Sequence, residues 1–276
     1  MKSLITIIRE QINSFYLIIR LSAFEIKSAN TGNYLGRIWE ILNPMIQLGI
    51  YWFVFGIGVR KGREITLENG AEVSFFIWMV SGMVVWFFVN PAITYSSKSI
   101  YSRLQIIAKM NFPMSVIPSF VIMSKFYTHL MLVGIVTIIL QFTNFKISIY
   151  FIQLPYFMLS TLIFLLALAL ITSTLSTIVR DVQQIIQSLL RLLLYFTPLI
   201  WHTKEIILNG MNLTFVLKLN PLYYLVEGYR AALLGTSWYA WKHSSLTLYF
   251  WVLTFILLLI GSRLHLKFRN RFVDYL

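Results

Sequence analysis

The sequence predicts an all-α polytopic membrane protein. It has six transmembrane helices, an N-terminal interfacial amphipathic helix and two outer-leaflet re-entrant helices between spans five and six. Of the 276 residues, 58% are hydrophobic and only 12% are charged, whereas a soluble domain carries about 25% charged residues. Several segments of about 18 or more residues contain no charge, and that length suffices for a helix to cross a bilayer. A transmembrane β-barrel would instead show short segments of alternating hydrophobicity.

Residues 1–38 are predicted to form an N-terminal unit at the membrane surface. Apolar residues recur at helical spacing within 4–22, while Arg9 and Arg20 fall on another face. This pattern is typical of an amphipathic helix that lies along the interface rather than crossing it. A polar segment follows at 25–37, with a turn predicted at 30–32.

Residues 39–276 are predicted to form a six-span transmembrane domain. Hydropathy places the spans at about 39–59, 74–95, 116–141, 149–178, 184–201 and 245–262. The segments on the side of the two termini hold thirteen Lys/Arg and four Asp/Glu, against eight and five on the other side. Because basic residues are enriched in cytoplasmic loops, we expect both termini to lie in the cytoplasm.

The long segment between spans five and six is predicted to contain the two re-entrant helices, at about 204–235. The second begins at Pro221 after the N-cap residue Asn220 and ends before Gly235. It spans about 14 residues, roughly 21 Å, which is too short for a hydrocarbon core of about 30 Å. Backbone that does not span is tolerated at membrane depth only where it is buried in protein or lines a wet cavity.

This second helix is predicted to have two different faces. Glu227 and Arg230 are three residues apart, so they can form an ion pair. The polar face is expected to hold Tyr223, Glu227 and Arg230. The packing face is expected to consist of Leu222, Leu225, Val226, Tyr229 and Leu233.

Catalysis and cofactor binding by the chain itself are not predicted. The sequence has no His-Glu-x-x-His pair, no Gly-x-Ser-x-Gly elbow and no phosphate-binding loop. It has no cysteine, and its four histidines are scattered, so no metal site is expected. The net charge of +13 does not indicate nucleic-acid binding, because basic residues beside membrane spans anchor topology and meet anionic lipid.

Four stretches, in order and in register, resemble the permease subunit of ABC-2 type transporters that export polysaccharides. They are YLGRIWEILNP (34–44), KMNFPMSVIPSF (109–120), VRDVQQIIQSLL (179–190) and LNPLYYLVEGYR (219–230). The run at 86–120 is most similar to the permease of the wall teichoic acid exporter of Gram-positive bacteria. The resemblance implies a multi-pass plasma-membrane protein that forms a homodimer and works with two ATP-binding-cassette ATPase subunits. ATP and Mg²⁺ would be bound by those subunits, and no cofactor by this chain.

The resemblance also implies that polar segments at 25–36 and 101–113 dock on the ATPase. The residues expected to take part are Glu25, Lys27, Asn30, Tyr34, Arg103, Lys109, Met110, Phe112 and Pro113. Independently, Pro113 and Pro118 would stop one helix and restart another, which favours a short rigid knob. The alternative is a loop that only holds the chain on the cytoplasmic side.

Arg191 is the strongest single candidate for contact with substrate. It lies about 11 residues after Arg180, roughly 16 Å along span five and close to mid-bilayer. Placing an arginine there costs about 2.5–3.5 kcal/mol, so we expect a function, namely attraction of phosphate groups through the guanidinium fork. The alternatives are an internal partner or a span whose register puts Arg191 near the head groups.

Further substrate-path candidates lie at the outer exit. They are Tyr223, Tyr224, Glu227, Arg230 and Trp238. Aromatic rings could contact a sliding polymer without trapping it, but aromatic residues at span ends also form interfacial belts. The Glu227–Arg230 pair could equally stabilise the helix that carries it.

The predicted function is export of a lipid-linked anionic polymer, with teichoic acid on polyprenyl pyrophosphate as the first choice. The alternatives within transport are a capsular or O-antigen-type polysaccharide, or lipids and drugs. The alternative outside transport is a membrane enzyme or an assembly scaffold, which would act without a nucleotide-binding partner.

Overall fold

The computed structural model places all the long elements of the chain as helices. It describes residues 2–29, 32, 34–60, 62–103, 113–202, 207–208, 211–212, 214–270 and 272. The helices are α1 Lys2–Asn13, α2 Phe15–Ala29, α3 Trp39–Tyr51, α4 Phe75–Ser97, α5 Val116–Gln141, α6 Leu154–Ile178, α7 Val182–Phe196, α8 Thr214–Lys218, α9 Pro221–Leu234, α10 Tyr239–Lys242 and α11 Ser244–Phe268. Two short antiparallel hairpins complete it, β1 Ile65–Thr66 with β2 Glu72–Val73 and β3 Ile207–Leu208 with β4 Met211–Asn212.

Five helical stretches in the described residues are long and apolar enough to cross a membrane. Their bounds are Trp39–Val59, Phe75–Ser97, Val116–Gln141, Ile149–Ile178 and Ser244–Phe268. The first joins α3 to the π-helix Trp52–Val59, and the fourth joins the 3-10 turn Ile149–Gln153 to α6. These stretches agree with five of the six predicted spans and make the chain a polytopic helical membrane protein.

The predicted fifth span, 184–201, is wrong in its length. Helix α7 has only 15 residues and ends at Phe196. Thr197 has the extended backbone angles φ −99° and ψ 133°, because the ring of Pro198 disfavours the helical conformation of the residue before it. The chain nevertheless runs between the two ends of the bundle here. At one end, Ser97 Oγ donates a hydrogen bond to Gln183 Oε1. At the other end, Asn220 Nδ2 donates a hydrogen bond to Thr197 Oγ1 at 2.9 Å.

Helix α4 lies at the centre of the bundle. In its most apolar stretch 72% of the residues are buried, and it packs against α5, α6 and α9. Helices α6 and α11 form the second extensive contact. By contrast, only 6% of the most apolar stretch of the α3 crossing is buried. The first crossing is therefore the most loosely attached to the rest of the chain.

The N-terminal unit consists of two helices rather than the single amphipathic helix predicted at 4–22. Helix α2 continues to Ala29, so the predicted polar segment from residue 25 begins inside a helix. Helix α1 is fixed to the end of the bundle by Glu10, which accepts hydrogen bonds from Arg269 at 2.7 Å and from Ser115 at 2.5 Å. The N-terminal helix and the end of α11 therefore lie at the same end of the molecule, which we call the termini end.

The first predicted re-entrant helix is replaced, in its described residues, by the β3–β4 hairpin and the five-residue helix α8. The strands flank Asn209-Gly210, a dipeptide that strongly favours hairpin turns between apolar residues. The second predicted helix of this segment is present as α9, and its re-entrant character stays a prediction. The Asn220 side chain accepts a hydrogen bond from Leu222 N at 3.0 Å, and Gly235 has the left-handed angle φ 68°.

Helix α9 does not have the two faces that were predicted. Twelve of its 14 residues are buried, because α4 and α6 pack around it together with the turn that precedes α6. Tyr223 and Arg230, expected on a polar face, are 8% and 3% exposed. The helix is therefore an internal element of the bundle rather than the lining of an open mouth.

The β1–β2 hairpin is fastened to α10 by an ion pair at the end of the bundle opposite the termini. Glu68 Oε2 accepts a hydrogen bond from Lys242 Nζ at 2.6 Å, and His243 Nε2 lies 3.5 Å from Glu68 Oε1. Partial burial alone would raise the pKa of Glu68, but Lys242 and His243 outweigh it and hold that pKa below its ordinary value. The carboxylate therefore stays ionised at neutral pH.

Candidate functional site

The Glu227–Arg230 pair predicted from the sequence is present, with the Arg230 side chain buried and that of Glu227 25% exposed. Arg230 Nη1 donates to Glu227 Oε1 at 2.6 Å, Nε donates to the Trp78 carbonyl at 3.3 Å, and Nη2 to the Leu199 carbonyl at 3.4 Å. The guanidinium carbon also lies 3.5 Å from the centroid of the Trp78 ring. One side chain thus joins α9 to α4 and to the segment after α7.

The room for this guanidinium depends on Gly82 of α4. A Cβ atom at that position would lie 2.5 Å from Arg230 Nη2. Arg230 is therefore packed inside the bundle in this conformation, and its structural role stays a prediction.

The aromatic candidates on α9 are also internal. Tyr224 is 2% exposed, and its hydroxyl lies 3.0 Å from that of Tyr156, which in turn accepts a hydrogen bond from Trp251 Nε1 at 2.8 Å. Trp238 is different, because it is 39% exposed and stands edge-on to Tyr150. Of the outer aromatic candidates, it is therefore the one placed at the surface.

A polar groove runs along the bundle with α4 as its floor; it lies between α3 and α5 at the end nearer the termini and between α3 and α7 further along. It consists of two adjoining cavities of about 360 Å³ and 320 Å³, which share Gln47, Asn90 and Thr94. Its other polar residues include Glu40, Asn43, Tyr51, Tyr95, Lys125, Thr128, Gln187 and Arg191. We call this set the polar groove.

Helical periodicity explains why four apolar helices can build a polar groove. Residues three or four apart lie on the same helix face. Asn43 and Gln47 on α3 have this spacing, and so do Asn90 and Thr94 on α4. The same spacing relates Lys125 to Thr128 on α5 and Gln187 to Arg191 on α7. Each helix thus turns one narrow polar stripe towards the same space.

The polar groove cannot face lipid in the working protein. Asn43, Gln47 and Arg191 are exposed on helices that otherwise carry large apolar side chains. Ionisable groups at membrane depth are costly unless they face a bundle interior or a water-filled cavity. The groove must therefore be covered by protein or filled with water.

Arg191 lies in this groove, as the phosphate hypothesis requires. Within the described part of the chain it has no hydrogen-bond or ion-pair partner. The internal partner considered from the sequence is therefore not found among these residues. The guanidinium is free to meet a ligand or water.

Lys125 is a second membrane-embedded cation, and it is not among the residues predicted from the sequence to contact substrate. Its Nζ lies 4.6 Å from the centroid of the Tyr95 ring, and Lys98 Nζ lies 4.8 Å from the same centroid. Glu40, in the same cavity, accepts a hydrogen bond from Thr128. The end of the groove nearer the termini therefore holds the Lys125 ammonium and the Glu40 carboxylate, and Lys98 contacts the Tyr95 ring that lines it.

The residues predicted to dock an ATPase lie at the termini end where they are described. Glu25 of α2 forms an ion pair with Arg103, which ends the 3-10 turn Tyr101–Arg103 after α4. Lys27 and Tyr34 are exposed, and Pro113 is half-buried. Asn30, Lys109, Met110 and Phe112 lie outside the described residues. The two predicted docking segments, 25–36 and 101–113, are therefore joined by the Glu25–Arg103 ion pair.

No group of three or more His, Cys, Asp or Glu is placed to hold a metal ion in the described ranges. His129 and His265 are buried in separate places, one beside Tyr229 and the other beside Thr174. The chemistry available in the polar groove is therefore hydrogen bonding and attraction of anions.

Comparison with known proteins agrees with this arrangement. A family described as ABC-2 type transporter matches residues 16–234. The O-antigen export system permease protein RfbA of Myxococcus xanthus is 25% identical over 228 residues, 83% of this chain and 84% of the relative. Two proteins of the same description from Klebsiella pneumoniae are 25% and 23% identical over 264 and 263 residues, 95% of each chain in both cases.

Proposed function

The chain belongs to the ABC-2 type transporter family, and on that basis we propose that two copies of it form the route by which a lipid-linked polysaccharide crosses the cytoplasmic membrane. As a permease of a polysaccharide exporter it is not itself an ATPase, and it holds no cofactor of its own. ATP hydrolysis, with its Mg²⁺, belongs to the separate ATPase subunits that such permeases require. The observation that carries the proposal is the polar groove, which is unsuited to lipid and suited to a hydrated polymer.

An O-antigen or capsular type of polysaccharide is the proposed substrate. The relatives from Myxococcus xanthus and Klebsiella pneumoniae are described as O-antigen export permeases and align with most of this chain. This supports the polysaccharide alternative over wall teichoic acid, which the run at 86–120 favours. Teichoic acid remains the second candidate, because Lys125 and Arg191 in the groove favour an anion. The carrier in both cases would be a polyprenyl pyrophosphate.

A second copy of the chain is proposed to cover the groove. The rims of the groove are α3 and α7, and both expose large apolar side chains, including Met45, Ile50, Leu189 and Leu192. A two-fold axis beside these helices would bring two grooves face to face, and isologous pairs of this kind are the commonest oligomers. The apolar rims would then pack together while the polar floors enclose a wet route.

The termini end is proposed to face the cytoplasm and the ATPase. The Glu25–Arg103 contact ties α2 to the segment after α4, so movement of one would be transmitted to the other. The segment 101–113 would supply the docking element, with Lys109, Met110, Phe112 and Pro113 at its end. A Gram-positive source remains a prediction from the sequence.

Export should depend on Arg191. In a strain lacking the chain, Arg191→Gln is expected to reduce surface polysaccharide at least several-fold, because the groove loses its unpaired guanidinium. Arg63→Gln is the matched control, since Arg63 is exposed in the loop before β1. Surface polymer is measured at equal membrane levels of folded protein. Wild-type export by Arg191→Gln would contradict the phosphate role.

Dependence on an ATPase separates transport from the enzyme or scaffold alternative. The chain is expected to co-purify with an ATPase subunit, and inactivating that subunit's phosphate-binding loop should trap polymer inside the cell. Surface polymer that persists without ATP hydrolysis would contradict the proposed function.

A further inference from the structure

Two lysine side chains from different helices converge on one tyrosine at the termini end of the polar groove. Lys98 follows Tyr95 by three residues at the end of α4, while Lys125 comes from α5. Their ammonium groups lie 4.8 Å and 4.6 Å from the centroid of the Tyr95 ring, and the ring itself is 44% exposed. The ring faces therefore attract two cations that repel each other.

The carboxylates near these lysines do not balance them. Glu40 lines the same cavity and accepts a hydrogen bond from Thr128, whereas Glu25 is engaged by Arg103. Lys125 shares the cavity with the carboxylate of Glu40, while Lys98 does not line the cavity and adds a second ammonium group beside the Tyr95 ring. An added anion would relieve the repulsion between the ammonium groups, and phosphate is an anion that lysine binds as a point charge.

The walls of the same cavity suit an amphiphilic ligand. Besides its polar groups it is lined by Trp39, Phe87 and Leu132, and it lies between α3 and α5. Both helices expose apolar side chains to the surroundings, such as Ile46 and Met131. A ligand with an anionic head could thus place the head between the lysines while its hydrocarbon tail stays in the bilayer.

We propose that Lys98, Lys125 and Tyr95 form the entry site for the phosphate or pyrophosphate head of the lipid-linked substrate. The inference rests on the proposed function and adds where the substrate enters. The head group binds at the termini end of the groove and then passes Thr94 and Asn90 towards Arg191, which lines the adjoining cavity. The position is also adjacent in sequence to the Tyr101–Arg103 turn.

The experiment uses the purified permease–ATPase complex in nanodiscs of neutral lipid. ATP hydrolysis is measured against increasing polyprenyl pyrophosphate, and separately against polyprenyl alcohol, inorganic pyrophosphate and phosphatidylglycerol. Wild type is expected to respond to polyprenyl pyrophosphate and not to the alcohol. Inorganic pyrophosphate should act only at much higher concentration, because it lacks the tail. An equal response to it, or to phosphatidylglycerol, would overturn the assignment to the lipid-linked substrate.

The variants test the lysines directly. Lys125→Gln is expected to raise the half-stimulating concentration of polyprenyl pyrophosphate roughly tenfold or more, as for loss of one charge-assisted hydrogen bond. Lys98→Gln should act in the same direction, and Lys125→Arg should restore most of the response because it keeps the charge. Lys146→Gln is the matched control, since Lys146 is exposed in the loop after α5.

The two hypotheses fail differently. If polyprenyl pyrophosphate stimulates wild type, Lys98→Gln and Lys125→Gln equally, the entry site is wrong while the export function stands. If it does not stimulate the wild-type complex at all, the proposed function fails first.

Discussion

Gly228→Ala is expected to prevent formation of a stable folded permease. A Cβ atom on residue 228 of α9 would lie 2.2 Å from Cε1 and 2.4 Å from Cζ of Phe157. Real Cβ atoms do not approach other heavy atoms so closely, so either the ring or the helix must move.

Neither of them has space to move. Phe157 is fully buried, and the centroid of its ring lies 5.1 Å from the ring centroid of Tyr156 and 5.5 Å from that of Tyr224. Helix α9 is itself enclosed by α4 and α6. Overpacking of this kind costs about 1–3 kcal/mol and occasionally more, and we expect the upper end here.

The control for this substitution is Gly134→Ala. Gly134 is also inside a helix, but a Cβ atom there would meet nothing within 4 Å. Alanine is the better helix former by about 1 kcal/mol, so this variant should match or exceed wild type. The measurement is Tm and monodisperse yield in detergent. A Gly228→Ala protein with the wild-type Tm would show that α9 does not pack as described.

Arg230→Met is expected to be the second strongly destabilising change. It leaves Glu227 without its ion-pair partner and the Leu199 carbonyl without a donor. Breaking a fully buried ion pair on one side costs about 3–5 kcal/mol, because an uncompensated group remains, and we expect the lower end here because the Glu227 side chain is 25% exposed. The variant should therefore show a large drop in Tm in detergent.

A paired substitution distinguishes this cause from loss of packing. Glu227→Gln/Arg230→Met removes the unpaired charge, so it should be more stable than Arg230→Met alone. The Tm values of wild type, Arg230→Met and the double variant are measured by thermal unfolding and ranked. If the double variant is less stable than Arg230→Met, the ion pair is not what stabilises this part of the fold.

Local signals predicted helix α9 well. Asn220, Pro221 and Gly235 define its ends through interactions with the nearest backbone, and the Glu227–Arg230 spacing follows from helix geometry alone. All of these features are present in the structure. Such features are visible in one sequence because every partner lies within a few residues.

Features that depend on distant segments could not be predicted in the same way. The burial of α9 on all sides results from α4 and α6, so helical periodicity assigned a polar face that does not exist. The early end of α7 had a local signal in Pro198, but hydropathy over the whole stretch outweighed it.

The candidate site likewise contains residues that could be predicted from the sequence and residues that could not. Arg191 was identified because a lone arginine in an apolar span is unusual. Lys125 was overlooked, although it is also a charge inside a predicted span. Gln47 and Asn90 carry no charge, and only the packing of α3 against α4 shows that they share a cavity with Arg191. The polar groove is therefore a property of four helices together.

Thiol accessibility tests the central claim most directly, and the absence of cysteine from this sequence makes it simple. Single cysteines replace Gln47 and Gln187 in the groove, and Ile138 and Ile256 on apolar surfaces of α5 and α11. A charged, membrane-impermeant thiol reagent is added to the complex while it hydrolyses ATP. The account predicts rapid modification at 47 and 187 and little at 138 and 256. Protection of both groove positions throughout turnover would contradict it.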